Sequence, residues 1–513
     1  MTRVVVIGAG LAGLSAACHL VPGGHDRITV LERDPRPGGR GGRLDLDGFR
    51  WDTGPTVLTM PHLIDDALRA AGSGLDRELT LQRLDPAYRA TYADGSTLRV
   101  RADRERMRAE IAAVCGERDA AAFGPFVAWL EELYRVEMPH FIERNYDSVL
   151  DLLRHPRAAA RLVRLGGFGR LGRAVRARFD DPRLHRLFSF QAMYAGLAPD
   201  QALAIYAVIT YMDSIAGVFY PAGGMHEVPA ALARAAGAAG VELRFGQEVS
   251  AIRCGTGGAV RAVETRDGQS LPADAVVCTL DPATAYDRLL PDLPPPRVLR
   301  RGSYSPSALV WHLGVRGTPG PHTAHHNIHF GHAWAPAFDD LLVAGTRMRD
   351  PSRLVTVPTT HDAGAAPAGH STLYVLEPVP NLAVGRIDWD QAVPALKEEL
   401  LGFLQGCGYP TDVVADVMVT PQDWLRQGLA AGTPFALAHT FTQTGPFRPG
   451  NVEARRPGLV FAGSGTVPGV GVPMVLISGR LAAARVAELR TPDTTGRRRA
   501  QHPVATRRPH RHS

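Results

Sequence analysis

Gly8-Ala9-Gly10-Leu11-Ala12-Gly13 sits between an apolar run, Val4-Val5-Val6-Ile7, and a stretch where Leu11, Leu14, Ala17, Cys18 and Leu20 recur at helical spacing. Glycines here permit a tight strand-to-helix turn, close approach of a pyrophosphate, and close packing of helix on strand. The following helix offers free amides and its positive end to an anion. A second β-branched run, Ile28-Thr29-Val30-Leu31, ends at Glu32, about where a dinucleotide fold places its ribose-binding acid. The chemistry these residues imply is dinucleotide binding, with Gly8, Gly10, Leu11, Ala12 and Gly13 at the phosphates and Glu32 on ribose hydroxyls.

The other end of the chain offers a second strand, glycine turn and helix. Leu459-Val460-Phe461-Ala462-Gly463-Ser464-Gly465-Thr466 reads as a strand entering a glycine turn. Pro468-Gly469-Val470-Gly471-Val472-Pro473-Met474 then opens an apolar helix, and Pro473 suits a first helical turn. Asp213 interrupts the apolar stretch Ala202 to Tyr220. An acid there is a candidate catalytic group, because desolvation raises its pKa; a solvated or hydrogen-bonded acid on a helix edge is the alternative. His322, His325, His326, His329 and His332 are conspicuous, but Asn327-Ile328-His329-Phe330 reads as a strand and no neighbouring cysteine or acid completes a ligand set, so no metal site is expected. There is no Gly-x-Ser-x-Gly elbow and no P-loop.

The positioning elements divide into regimes. Residues 1–75 read strand, turn, helix, strand and glycine-rich loop, and 105–215 are mostly helical with arginine-rich faces. Strands are expected at Val241 to Phe245, Val249 to Ile252, Val260 to Thr265 and Ala275 to Leu280. From 300 to 415 strands and loops alternate, ending in a helix over Gln391 to Leu404. Residues 491–513 lack periodicity and are expected to be disordered.

Composition narrows the class. The 513 residues are 45% hydrophobic and 21% charged, ordinary for a globular protein. The formal charge of +6 comes from the tail, whose Arg497, Arg498, Arg499, Arg507, Arg508 and Arg511 account for the whole excess, so nucleic acid is not an expected partner. Five dispersed cysteines form no CxxC pair, the usage of a reducing compartment. No secretory signal or long apolar span is present, so a cytoplasmic location is expected, with peripheral membrane contact. Residues 152–179 carry eight arginines and no acid among apolar residues, as in an interfacial segment.

After Glu32 come Arg33-Asp34-Pro35-Arg36-Pro37-Gly38-Gly39-Arg40 and Phe49-Arg50-Trp51-Asp52-Thr53-Gly54-Pro55-Thr56. With both chain ends, this arrangement resembles the flavoprotein superfamily of amine oxidases, protoporphyrinogen oxidase and carotenoid desaturases. Tyr220-Pro221-Ala222-Gly223-Gly224-Met225, Leu373 to Pro380, Thr466 to Pro473 and Arg448-Pro449 look like phytoene desaturases of the bacterial and fungal type. Two positions depart from the pattern. Val467 stands where many members carry histidine, and Ser464 where amine oxidases usually carry an acid.

The resemblance implies an α/β fold: a Rossmann-like FAD-binding domain from 1–75, 220–299 and 416–490, and a discontinuous mixed α+β substrate domain from 76–219 and 300–415. It places FAD against Gly8, Gly10, Leu11, Ala12, Gly13, Glu32, Arg33, Gly38, Gly39, Arg40, Gly54, Pro55, Thr56, Val249, Gly463, Ser464, Gly471, Val472, Pro473 and Met474. The activity implied is desaturation of phytoene toward neurosporene or lycopene, with hydride passing to flavin and oxygen or a quinone accepting the electrons. C30 desaturases, carotene isomerases, ketolases and retinol saturases are alternatives. So are prenyl-binding Rab GDP-dissociation inhibitors, which lack the glycine fingerprint this chain keeps.

Overall fold

The computed structural model describes residues 2–489; the basic tail, 491–513, lies outside the described residues. Because Val4, Val5, Val6 and Ile7 are all apolar, the strand Arg3–Ile7 can be buried on both faces, and it forms the middle of a five-stranded parallel sheet. The order is Leu459–Phe461, Ala275–Cys278, Arg3–Ile7, Arg27–Leu31 and Glu242–Arg244. Strands from the beginning, middle and end of the chain therefore share one sheet.

Two helices pack tightly on that sheet. The first, Leu11–Leu20, crosses the last, Val472–Glu488, at Gly479, where a Cβ would come within 2.4 Å of the Ala12 carbonyl oxygen. The crossing fixes the C-terminal helix directly over the N-terminal turn. A three-stranded antiparallel sheet, Val249–Cys254, Val260–Thr265 and Ser270–Pro272, flanks the parallel one.

A seven-stranded sheet supports the remainder, in the order Asp412–Val419, Ser307–Arg316, His370–Val379, Arg353–Thr356, His326–His329, Tyr88–Thr91 and Thr97–Val100. Its outer strand runs across the 415/416 boundary expected from sequence, so this sheet keeps residues through Val419. The long helix Glu117–Glu137 and shorter helices to Arg176 cover it. Their contact is aromatic: Phe126 meets Phe179 and Phe188 with ring centroids 5.0 and 4.9 Å apart. Two short π-helical turns, Met138–Ile142 and Tyr211–Ile215, interrupt the helical layer where it faces the parallel sheet. Such turns are frequent at functional sites.

Candidate functional site

The glycines at the N-terminus take separate jobs. Gly8 has φ +101°, a conformation that favours glycine, and turns the chain out of its strand. A Cβ on Gly13 would lie 2.0 Å from the Gly8 carbonyl oxygen, so this position is closed by helix-on-strand packing. Gly10 differs: its nearest neighbour would be 3.7 Å from an added Cβ, and its free side looks into a cavity. The helix it opens has neither a capping side chain nor an acid in its first turn. Its first amides are therefore available to an anion.

A second glycine loop lies against the first. The Gly38 amide donates to Ala9 O at 2.9 Å. Glu32 is buried, and its carboxylate accepts the Ala9 amide at 2.6 Å and the Asp34 amide at 3.0 Å. Burial raises its pKa while the two amides oppose that rise. Glu32 thus ties the turn together while remaining on the cavity wall.

The C-terminal half closes the same cavity. Arg40, whose pKa is lowered by burial, donates to Ser464 Oγ at 2.8 Å and to the Pro434 carbonyl. Ser478, from the last helix, accepts the Gly463 amide at 3.0 Å and donates to Val467 O at 2.8 Å. Arg448 is buried and donates to the carbonyls of Ser464, Thr466, Leu437 and Gln443. Burial lowers its pKa to about 10. The helix Val472–Glu488 begins uncapped at Gly471, φ +117°, and has no acid in its first turn. Two helix N-termini therefore face one cavity, each a favourable place for negative charge.

That cavity has a volume of about 1050 Å³. Gly8, Gly10, Leu11, Ala12, Glu32, Arg33, Gly38, Gly39, Arg40, Gly54, Pro55, Thr56, Val249, Gly463, Ser464, Gly471, Val472, Pro473 and Met474 line it, as does Asp213. Gly13 is the one sequence-derived site residue absent from the wall, for the packing reason given above. Beyond the glycine loops the cavity runs among Met193, Ile209, Met212, Phe330, Trp334 and Phe338.

Asp213 lies in the π-helical turn Tyr211–Ile215 and is buried. Its Oδ1 accepts from Ser214 Oγ at 2.6 Å and Gln191 Nε2 at 3.2 Å, whereas Oδ2 has no partner. Burial pushes its pKa up to about 7. Sequence reasoning passed over two further groups on the wall. Glu137, between Val136 and Met138, is buried with Oε1 unpartnered, and desolvation holds its pKa far above the usual carboxylate range. An acid between apolar neighbours was the available signal. His439 is also buried, with Nε2 unpartnered, and a Cβ on Gly469 would lie 2.2 Å from its ring. The sequence gives no sign of that contact. Of the five clustered histidines, His326 and His329 lie in a strand of the seven-stranded sheet and His325 just before it, all three buried, and no group of three metal-ligating side chains is found among the described residues.

Residues 11–487 match the family described as flavin containing amine oxidoreductase. The chain belongs to that family. It is 50% identical over 490 residues to the phytoene dehydrogenase of Streptomyces griseus, covering 94% of this chain and 95% of that one. It is 36% identical over 496 residues to the zeta-carotene-forming phytoene desaturase of Myxococcus xanthus, covering 94% and 93%. Among solved structures, an oxidoreductase from Methanosarcina mazei has a TM-score of 0.61 at 18% identity, covering 95% of this chain and 100% of that one, which shows a shared fold. The protein is thus an oxidoreductase whose cofactor is FAD. The residues present fit that cofactor: Gly10 leaves room for a pyrophosphate at an uncapped helix start, and the second uncapped helix lies across the cavity.

Proposed function

We propose that this protein is an FAD-dependent carotenoid desaturase that introduces conjugated double bonds into phytoene, with its flavin reoxidised by oxygen or a quinone. The carrying observation is a single cavity that joins a dinucleotide cradle to an apolar passage on whose wall lies the buried carboxylate of Asp213. The relatives named as a phytoene dehydrogenase and a phytoene desaturase support the substrate class. FAD supplies the two-electron acceptor.

The chain's own residues supply the rest. Ser214 and Gln191 fix Oδ1 of Asp213, leaving Oδ2 to take a proton from the carbon next to the one that loses hydride. The apolar walls exclude water from the developing charge. The uncapped start of the helix Val472–Glu488, on the cavity wall, would favour negative charge on bound FAD.

The same reading includes entry of the substrate from a bilayer. Phe168, Phe441 and Phe447 line the cavity yet are 49%, 56% and 37% exposed. Beside Phe168 in sequence, Leu150, Leu153 and Val163 are exposed too. Exposed apolar side chains of this size mark an interaction site when they share a surface. Among the described residues no ion pair engages Arg157 or Arg164, which suits an anionic lipid surface, whereas Arg154 and Arg161 pair with Asp151 and Glu132. No helix among the described residues is long and apolar enough to cross a membrane.

The test is anaerobic incubation of the holoenzyme with phytoene in vesicles, following flavin bleaching and polyene absorbance together. A desaturase bleaches about one flavin per double bond formed and then stops. Geometric isomers formed only on pre-reduced flavin would sink the proposal.

A further inference from the structure

Each turnover of such a cavity leaves a proton in an apolar interior, and the fold holds a line of unpartnered polar groups leading away from Asp213. The Tyr88 hydroxyl lies beside Asp213 without completing a hydrogen bond to it. The Tyr88 ring stands 5.6 Å from that of His326, His326 stands 4.6 Å from His325, and His325 stands 5.2 Å from His361, centroid to centroid. His361 is exposed, while Tyr88, His326 and His325 are all buried.

These groups are poorly explained as packing alone. Tyr88 Oη, His326 Nε2 and both ring nitrogens of His325 lack hydrogen-bond partners. Leaving so many buried polar atoms unpaired is unfavourable, so their clustering calls for a role. His326 Nδ1 meets Thr356 Oγ1 at 3.0 Å, and Thr356 donates on to Thr56 Oγ1 at 3.3 Å on the cavity wall. With Nδ1 as donor, Nε2 is the proton-accepting nitrogen. A cavity of about 10 Å³, the size of one water, lies between His325, Thr56, Thr356 and Tyr220. Asp52, Asp362 and Arg50 are the charged groups around Tyr220, whose ring packs on His325 at 4.5 Å.

We propose that Tyr88, His326, His325 and His361 form a proton conduit between the reaction cavity and the surface. The inference rests on the desaturase reading. Bound FAD would accept one substrate hydrogen together with its C–H electron pair, as hydride. The neighbouring C–H bond gives its proton to Asp213 Oδ2, and its electrons become the new double bond. Asp213 passes the proton to Tyr88 oxygen as Tyr88 releases its own to His326 Nε2. From there it crosses His325 and His361 to solvent. Ring rotation closes each gap to the about 2.7–3.2 Å of a hydrogen bond, and the small cavity beside His325 has room for one water. A quinone reoxidising bound FAD would receive that hydride and need one further proton, so over a full cycle proton release and uptake cancel.

The test uses the holoenzyme and His325→Phe, His326→Phe and His361→Gln variants; the last alters only an exposed side chain. Flavin absorbance and melting temperature confirm folding. In resting enzyme near pH 6, infrared spectroscopy follows deuterium exchange of the carboxyl band that Asp213→Asn removes. Exchange should slow at least tenfold in all three variants. In an anaerobic single turnover with phytoene vesicles and a pH-indicating dye, proton release should lag product in the variants, and added imidazole should restore it. Exchange and release as fast as in the unaltered enzyme overturn the conduit. An Asp213→Asn enzyme that still desaturates at full rate overturns the proton-acceptor reading instead, and the lag between product and release then judges the conduit by itself.

Discussion

Arg40 reaches across the cofactor cavity to Ser464, donating to its hydroxyl at 2.8 Å, and so joins the N-terminal glycine loop to the C-terminal turn. A half-buried guanidinium with no carboxylate in hydrogen-bond contact is costly, and it is compensated here by two oxygen acceptors from the C-terminal part of the chain. Arg40→Met should leave Ser464 Oγ and Pro434 O without their charged donor. Hydrogen bonds to charged groups are worth about 1.5–3 kcal/mol, so FAD affinity should fall about 10- to 100-fold. Ser464→Ala removes one neutral acceptor and should cost about fivefold. Equilibrium flavin titration of the two variants checks the order, and equal losses would contradict it.

Gly10 and Gly13 separate cofactor binding from folding. A side chain at Gly10 enters open cavity, whereas one at Gly13 meets the Gly8 carbonyl oxygen. Gly10→Val should therefore yield folded, colourless protein. Gly13→Val should fail to accumulate as folded protein at all. Circular dichroism with flavin absorbance distinguishes the two, and full flavin occupancy in Gly10→Val would refute the pyrophosphate assignment.

The reason these glycines were legible is local. A glycine turn between a buried strand and an apolar helix leaves period, composition and spacing in one short stretch, as do Gly463 and Pro473 at the other end. Other elements escaped for want of such a run. The hairpin of Tyr88–Thr91 and Thr97–Val100 turns at Asp94-Gly95, a signal present but bounded by strands of only four residues. The strands Arg43–Leu46 and Phe49–Asp52 were hidden within glycine-rich sequence. Glu137, His439 and the Tyr88–His326 contact depend on packing between residues far apart in the chain, which no local pattern records.

The exposed Leu150 and Leu153, on either side in sequence of the cavity-lining Leu152, should bind anionic lipid together with nearby arginines. Burying Leu150 and Leu153 in a bilayer contributes about 1.5–3 kcal/mol each, and an arginine near the surface about 1 kcal/mol. Leu150→Ser with Leu153→Ser should weaken co-sedimentation with vesicles at any salt. Arg157→Gln with Arg164→Gln should weaken it about tenfold or more at low salt and little at high salt. Unaltered binding of both double variants would remove this face from consideration.

Asp213 makes a pH prediction that couples stability to rate. Burial raises its pKa from 3.8 to about 7 in the folded protein. Between those values the native state binds a proton that the unfolded chain has released, so stability must fall as pH rises across this window. The loss is at most about 4 kcal/mol and is complete above about pH 7. Asp213→Asn has no charge to bury. Its melting temperature should match the unaltered protein near pH 4, exceed it increasingly up to about pH 7 and stay level beyond, when the two are compared with FAD bound. Activity should run the other way. A proton acceptor works only when ionised, so the rate at saturating substrate should fall about tenfold per pH unit below about 7. Asp213→Asn should lose about 10²- to 10⁴-fold in rate with flavin occupancy unchanged. A constant stability offset at every pH, or an acid limb that persists in the asparagine variant, would assign the ionisation to another group, with Glu137 the first to examine.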